Sequence, residues 1–181
     1  MSLEAVEPEV VPAVIQKPLL RGVLHQYAAA VAFGAGGVLV VLAPAGRATA
    51  AAAVYALSMV ILFTISATYH RIDWSPAGRV WMRRADHAAI FVLIAGSYTP
   101  ITLVGLPPSI GNRLFVAVWC GALLGILKSL FWVHAPKWVV AVLAVAVGWT
   151  VVPYMGSLRE VFGDHVFWLI ERLQLGAADR L

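Results

Sequence analysis

Ser66 and His70 stand four residues apart in the segment SATYH, and Asp86 adjoins His87 in RRADHAAIF. On a helix, positions four apart share a face, so this hydroxyl and this imidazole point the same way. Imidazole nitrogen is a metal donor, a carboxylate orients or deprotonates water, and serine with histidine is also the pairing of nucleophilic catalysis. The nucleophilic reading is the weaker one here, because Ser66 sits one turn along His70's own helix and no third group orients the base. A polar neighbour to a ligand suits Ser66 better. Two plainer readings stand beside these. Asp86 occupies a place where a helix N-cap is wanted, and His70 at a helix end can bond to water or to a loop carbonyl. Of the other histidines, His25 opens an apolar run, His134 lies in a tight turn and His165 in the tail. None of these three has ligand spacing to another, so interfacial roles are expected.

The elements that must carry these residues are membrane helices. Of 181 residues, 61% are hydrophobic and only 12% charged, about half the charged share of a soluble domain; the mean hydropathy is +0.86. Positions 22–46, 48–70, 88–112 and 138–158 hold no Asp, Glu, Lys or Arg, and 114–136 is broken only by Lys128. Each run reaches the ~20 residues that cross a hydrocarbon core. The expected fold is an all-α integral membrane bundle with five spans, near 24–44, 50–70, 87–106, 114–133 and 138–156. Residues 1–21 form a polar cytoplasmic tail, 22–156 the transmembrane domain, and 157–181 an amphipathic or aborted sixth-span tail. In that tail Leu158, Phe162, Val166, Leu169 and Leu173 recur at helical spacing opposite Glu160, Asp164 and Glu171, which fits an interfacial helix.

Basic residues set the orientation. With the amino terminus in the cytoplasm, the inner segments hold Lys17, Arg21, Arg71, Arg79, Arg83, Arg84 and Lys137, against Arg47 and Arg113 in the outer loops before the fifth span. Arg159, Arg172 and Arg180 in the tail narrow that margin without reversing it. Lys128 then falls in the cytoplasmic half of its span, where its stem reaches the head groups. The net charge of +4 lies in short loops and not along one polar face, so no nucleic-acid partner is expected. The first residues, rich in Glu, are no secretory signal. The single cysteine, Cys120, excludes an intrachain disulfide. Gly34 with Gly37, and Gly121 with Gly125, are expected to let helices approach closely. Trp74, Trp81, Trp132 and Trp138 are expected as interfacial anchors, and Pro100 as a kink or opened turn around Ser97, Tyr98 and Thr99.

The strings KPLLRGVLHQ (17–26), SATYHRIDWSP (66–76), RRADHAAIFVLIAGSYTPITL (83–103) and FWVHAPKWVVAVLAVAVGW (131–149) resemble the hemolysin III family, bacterial relatives of the progestin and adipoQ receptors. The resemblance runs from residue 17 to the end of the fifth span and implies seven helices across the cell membrane with the amino terminus on the cytoplasmic side. In the wider superfamily a zinc ion near the cytoplasmic side is held by one histidine of the second span and a His-x-x-x-His of the seventh. Carried over by motif, this implies His70 as a zinc ligand, Asp86 as the carboxylate that orients the zinc-bound water, and Ser66 as its polar companion; His87 has no implied role. Zinc lowers the pKa of bound water toward ~7, which would give a nucleophile for an amide carbonyl.

The chain departs from that pattern at its end, for no His-x-x-x-His occurs in it, and one ligand cannot hold a catalytic zinc that usually needs three. The expectation is a truncated or frame-altered relative, with an open alternative in which a second copy or a partner chain supplies the missing groups. The function implied is a zinc-dependent hydrolase of membrane lipid, of ceramide-type amides. A pore-forming or membrane-perturbing cytolysin and a signalling or lipid-homeostasis protein without turnover stand as alternatives.

Overall fold

The computed structural model describes residues 22–132 and 137–163. The tail over 1–21, residues 164–181 of the second tail, His134 and His165 lie outside these. Among the described residues six α-helices follow in order: α1 (Val23–Leu42), α2 (Arg47–Arg71), α3 (Pro76–Pro100), α4 (Pro108–Phe131), α5 (Lys137–Gly148) and α6 (Met155–Phe162). A π-helical turn, Ile101–Gly105, extends α3, and a 3-10 segment, Trp149–Tyr154, joins α5 to α6. Among the described residues, five stretches are long and apolar enough to cross a membrane: Val23–Leu42, Arg47–Arg71, Pro76–Gly105, Pro108–Phe131 and Ala141–Glu160. The expected membrane bundle is thus observed, with neighbours in sequence packed antiparallel.

The helices overrun the apolar runs. α3 starts at Pro76, where Ser75 accepts a hydrogen bond from the Gly78 amide at 3.2 Å and proline occupies the first turn. Nothing in that arrangement loses a backbone bond, because the first amides of a helix have no intrahelical partner. Ser75 is therefore the cap. The N-cap reading of Asp86 is corrected, since Asp86 lies inside α3.

Burial is concentrated on α3. Half of its spanning stretch is buried, against 11% for α1, so α3 is the hub and α1 a peripheral helix packed on α2. The core gathers Phe91, Ala95 and Tyr98 of α3, Leu114, Val118 and Ala122 of α4, Val147 of α5 and Leu158 of α6. Gly121 and Gly125 do permit close packing, as expected: a methyl at Gly121 would stand 2.8 Å from Val147, and one at Gly125 would overlap the Phe91 ring. Gly34 and Gly37 do not. Both face open space, and the α1–α2 approach uses Gly36, where a methyl would lie 2.7 Å from the Ala56 Cβ. Ala32 and Gly36, both buried, are the small pair on this face.

Pro100 opens the helix one turn later than expected, over Ile101–Gly105. The hydroxyl of Thr102 donates to the Tyr98 carbonyl at 2.9 Å, and that of Thr99 to the Ala95 carbonyl at 2.8 Å. Threonine hydroxyls thus add hydrogen bonds to carbonyls of the turns that lead into the loosened one. The fifth crossing, expected as one helix over 138–156, is broken by the 3-10 segment that contains Pro153. Proline removes an amide donor there and disfavours a continuous α-helix. The Tyr98 hydroxyl donates to the Gly148 carbonyl at the break, fixing it to α3. Leu158, expected on an interfacial face, is buried in the core instead.

Candidate functional site

α1 begins, and α2 ends, at the same end of the bundle, together with the turn into α3. Ser66 and His70 lie in the last two turns of α2 on one face; Ser66 is buried and His70 half-buried. His25, in the first turn of α1, completes this group. Its Nδ1 and the Ser66 Oγ share a hydrogen bond of 2.8 Å, and its ring lies 6.4 Å from that of His70. Phe63 stands 5.8 Å from the His25 ring and Tyr69 4.8 Å from the His70 ring. The result is a small polar cluster walled by aromatic rings.

The first turn of α1 can sit there because residue 22 is glycine. Gly22 adopts φ +80, a left-handed conformation costly for residues with a Cβ, and a methyl on it would lie 2.8 Å from the His70 Cβ. Backbone shape and contact both exclude a side chain at this position. His25 thereby reaches a partner 41 residues away, a pairing that spacing along the chain could not reveal. The readable signal was depth: consecutive antiparallel spans bring the start of one beside the end of the next.

Asp86 lies about three turns into α3 and is half-buried. His87 is exposed, and its Nδ1 donates to the Arg83 carbonyl at 2.7 Å; it closes a helix turn and stays apart from the cluster. Cys120 is exposed and free. At the same end Trp74 donates through Nε1 to the Thr68 carbonyl at 3.3 Å, supporting the last turn of α2. Trp81, Trp132 and Trp138 are exposed at helix ends, as interfacial anchors should be.

The donors present are fewer than zinc requires. Zinc binds imidazole nitrogen at about 2.0–2.1 Å, which sets two rings on one tetrahedral ion roughly 5 Å apart between centroids. His25 and His70 stand wider than that, and the His25 Nδ1 is engaged with Ser66. Among the described residues, no three His, Cys, Asp or Glu side chains form a group that could hold a metal ion. These residues do not make a zinc site by themselves.

A family model described as "Haemolysin-III related" matches residues 13–175, a range that takes in His25, Ser66, His70 and Asp86. Hemolysin-3 of Bacillus cereus is 32% identical over 127 residues, which cover 69% of this chain and 58% of that protein. The Hemolysin-3 homolog of Bacillus subtilis (strain 168) is 39% identical over 80 residues, 44% of this chain and 37% of that protein. The chain thus spans less than two thirds of either relative's length. No solved structure matches it.

Proposed function

Since this chain belongs to the haemolysin-III related family, we propose that its polar cluster is part of a metal-assisted hydrolase site acting on membrane lipid, with ceramide-type amides as the substrate class. In this reading His70 is a zinc ligand, Asp86 orients the attacking water and Ser66 is the polar companion. The remaining ligands come from outside the described residues, from a second copy or a partner chain among other sources. The cluster faces the cytoplasm of a cell-membrane protein with its amino terminus inside, in keeping with the basic residues gathered at that end.

The observation that carries the reading is the hydrogen bond between His25 and Ser66, next to the His70 ring. Polar and ionisable groups between membrane helices are costly unless satisfied, and they cluster at working sites. Zinc content, measured on the purified full chain and on His70→Ala, tests the assignment. The expected result is zinc in the parent and its loss in the variant. Zinc bound equally by the two removes His70 as a ligand, and no zinc in either removes a site built from copies of this chain alone.

The name of the Bacillus cereus relative, Hemolysin-3, favours a second reading, membrane lysis. Release of dye from loaded vesicles, with and without a chelator, separates the two. Leakage that persists in the chelator supports a simple membrane-perturbing action, whereas lipid turnover that stops in it supports the hydrolase.

A further inference from the structure

Arg84 differs from the other arginines near the start of α3. Arg79 and Arg83 are exposed, as cations beside a membrane span usually are, but Arg84 is half-buried. Its position explains this. Residues 84, 88, 91 and 95 follow one another at helical spacing along one stripe of α3, and Ala88, Phe91 and Ala95 are all buried. Phe91 meets α4 at Gly125. Arg84 therefore continues the packing face of α3 beyond the apolar run that opens at residue 88. Four residues of helix place it roughly 6 Å outside that run, at the level of the lipid head groups.

The guanidinium is held there by Trp81, one turn earlier, whose ring centroid lies 4.5 Å from the Arg84 Cζ. Trp81 itself is 58% exposed, so the stack stands at the boundary between apolar and polar surroundings, where an indole settles. The Arg84 Nε is buried and has no hydrogen-bond partner. Stacking on Trp81 is the polar contact described for this side chain, and it neutralises no charge. A guanidinium has five N–H donors in a planar fork suited to phosphate oxygens. Arg79 and Arg83 on the neighbouring face add positive field; the carboxylates nearest in sequence are Asp73 in the α2–α3 turn and Asp86 in α3.

We propose that Arg84, stacked on Trp81 at the head of the α3 packing stripe, is the seat for the phosphate of an anionic phospholipid head group. The site is independent of the hydrolase reading, because it uses neither His70 nor Ser66. The guanidinium over the indole takes the phosphate diester, whose charge in an anionic head group is not balanced by an ammonium of the same lipid, and the exposed indole covers the adjoining glycerol and upper acyl chain.

The full chain, reconstituted in phosphatidylcholine vesicles, can be titrated with brominated phosphatidylglycerol or brominated phosphatidylcholine, reading quenching of tryptophan fluorescence. The ratio of the two affinities is the measurement. In the parent the ratio favours phosphatidylglycerol, and in Arg84→Gln it falls about fivefold, the factor expected for one basic residue at an anionic surface. Arg84→Lys falls with Arg84→Gln, because lysine keeps the charge but not the planar fork. A ratio that Arg84→Lys preserves, or that Arg79→Gln lowers as much as Arg84→Gln does, overturns the site in favour of diffuse attraction. Abolition of the preference by millimolar inorganic phosphate at constant ionic strength overturns the lipid as the ligand.

Discussion

The imidazole of His25 and the hydroxyl of Ser66 meet at 2.8 Å, tying the first turn of α1 to the penultimate turn of α2. α1 is otherwise held by small residues on a single neighbour, and it leaves Leu24, Tyr27, Val31 and Phe33 exposed. A polar tie at its open end thus has more influence on its position than it would in the core. Hydrogen bonds between membrane helices are worth about 0.6 kcal/mol on average and up to about 2. We expect His25→Ala and Ser66→Ala each to lower stability, with a coupling of that size in the double variant. Unfolding in mixed micelles measures it, and strictly additive effects would show that the two groups do not interact.

Gly22→Ala adds two costs at once. The left-handed backbone charges a residue with a Cβ roughly 1–2 kcal/mol, and the new methyl meets the His70 Cβ. Gly46, at φ +97, also has positive φ but opens onto free space. Gly46→Ala costs backbone strain alone, so we expect Gly22→Ala to destabilise and to move the NMR signals of the His70 ring, which Gly46→Ala leaves in place. An unmoved His70 spectrum in Gly22→Ala would mean that α1 does not rest on His70.

Much of this architecture was legible as composition. Charge-free runs of bilayer length give five crossings because lipid penalises every unpaired charge and backbone group, and that penalty is written residue by residue. Ser66 and His70 were legible for a similar reason, since a four-residue spacing is a local property of one helix. His25 was not, because its partnership depends on which helix ends meet. Gly36 was missed in favour of Gly34 and Gly37 because all three lie in one small-residue stretch, and only the rotation of α1 about its axis decides which faces α2. The break of the fifth crossing was marked by Pro153, although an apolar run alone does not distinguish one helix from two shorter segments.

That rotation of α1 can be tested directly. A methyl at Gly36 lies 2.7 Å from the Ala56 Cβ, whereas at Gly34 and Gly37 it meets nothing within 4 Å. Gly36→Ala should push α1 from α2 and lower stability by about 1–3 kcal/mol, the usual range for overpacking. Gly34→Ala and Gly37→Ala should be neutral or stabilising by up to about 1 kcal/mol, because alanine is the better helix former. The three unfolding curves give the order. Loss of stability at 34 or 37 but not at 36 would require a different face of α1 against α2.

The same logic applies with higher stakes at Gly125, where the obstacle is the ring of Phe91, fully buried at the centre of the core. α1 can swing aside, but α3 is pinned on several sides: Trp119 donates to the Thr99 hydroxyl at 3.2 Å and Tyr98 holds the Gly148 carbonyl. Strain from Gly125→Ala therefore has little room to relax, and we expect a loss at the upper end of the ~1–3 kcal/mol overpacking range. Phe91→Leu alone should also destabilise, by leaving space where the ring was. In combination the smaller side chain makes room for the added methyl, so the double variant should lose clearly less than the two single losses added together. Unfolding of the four proteins measures this coupling, and a simple sum would show that Gly125 does not abut Phe91.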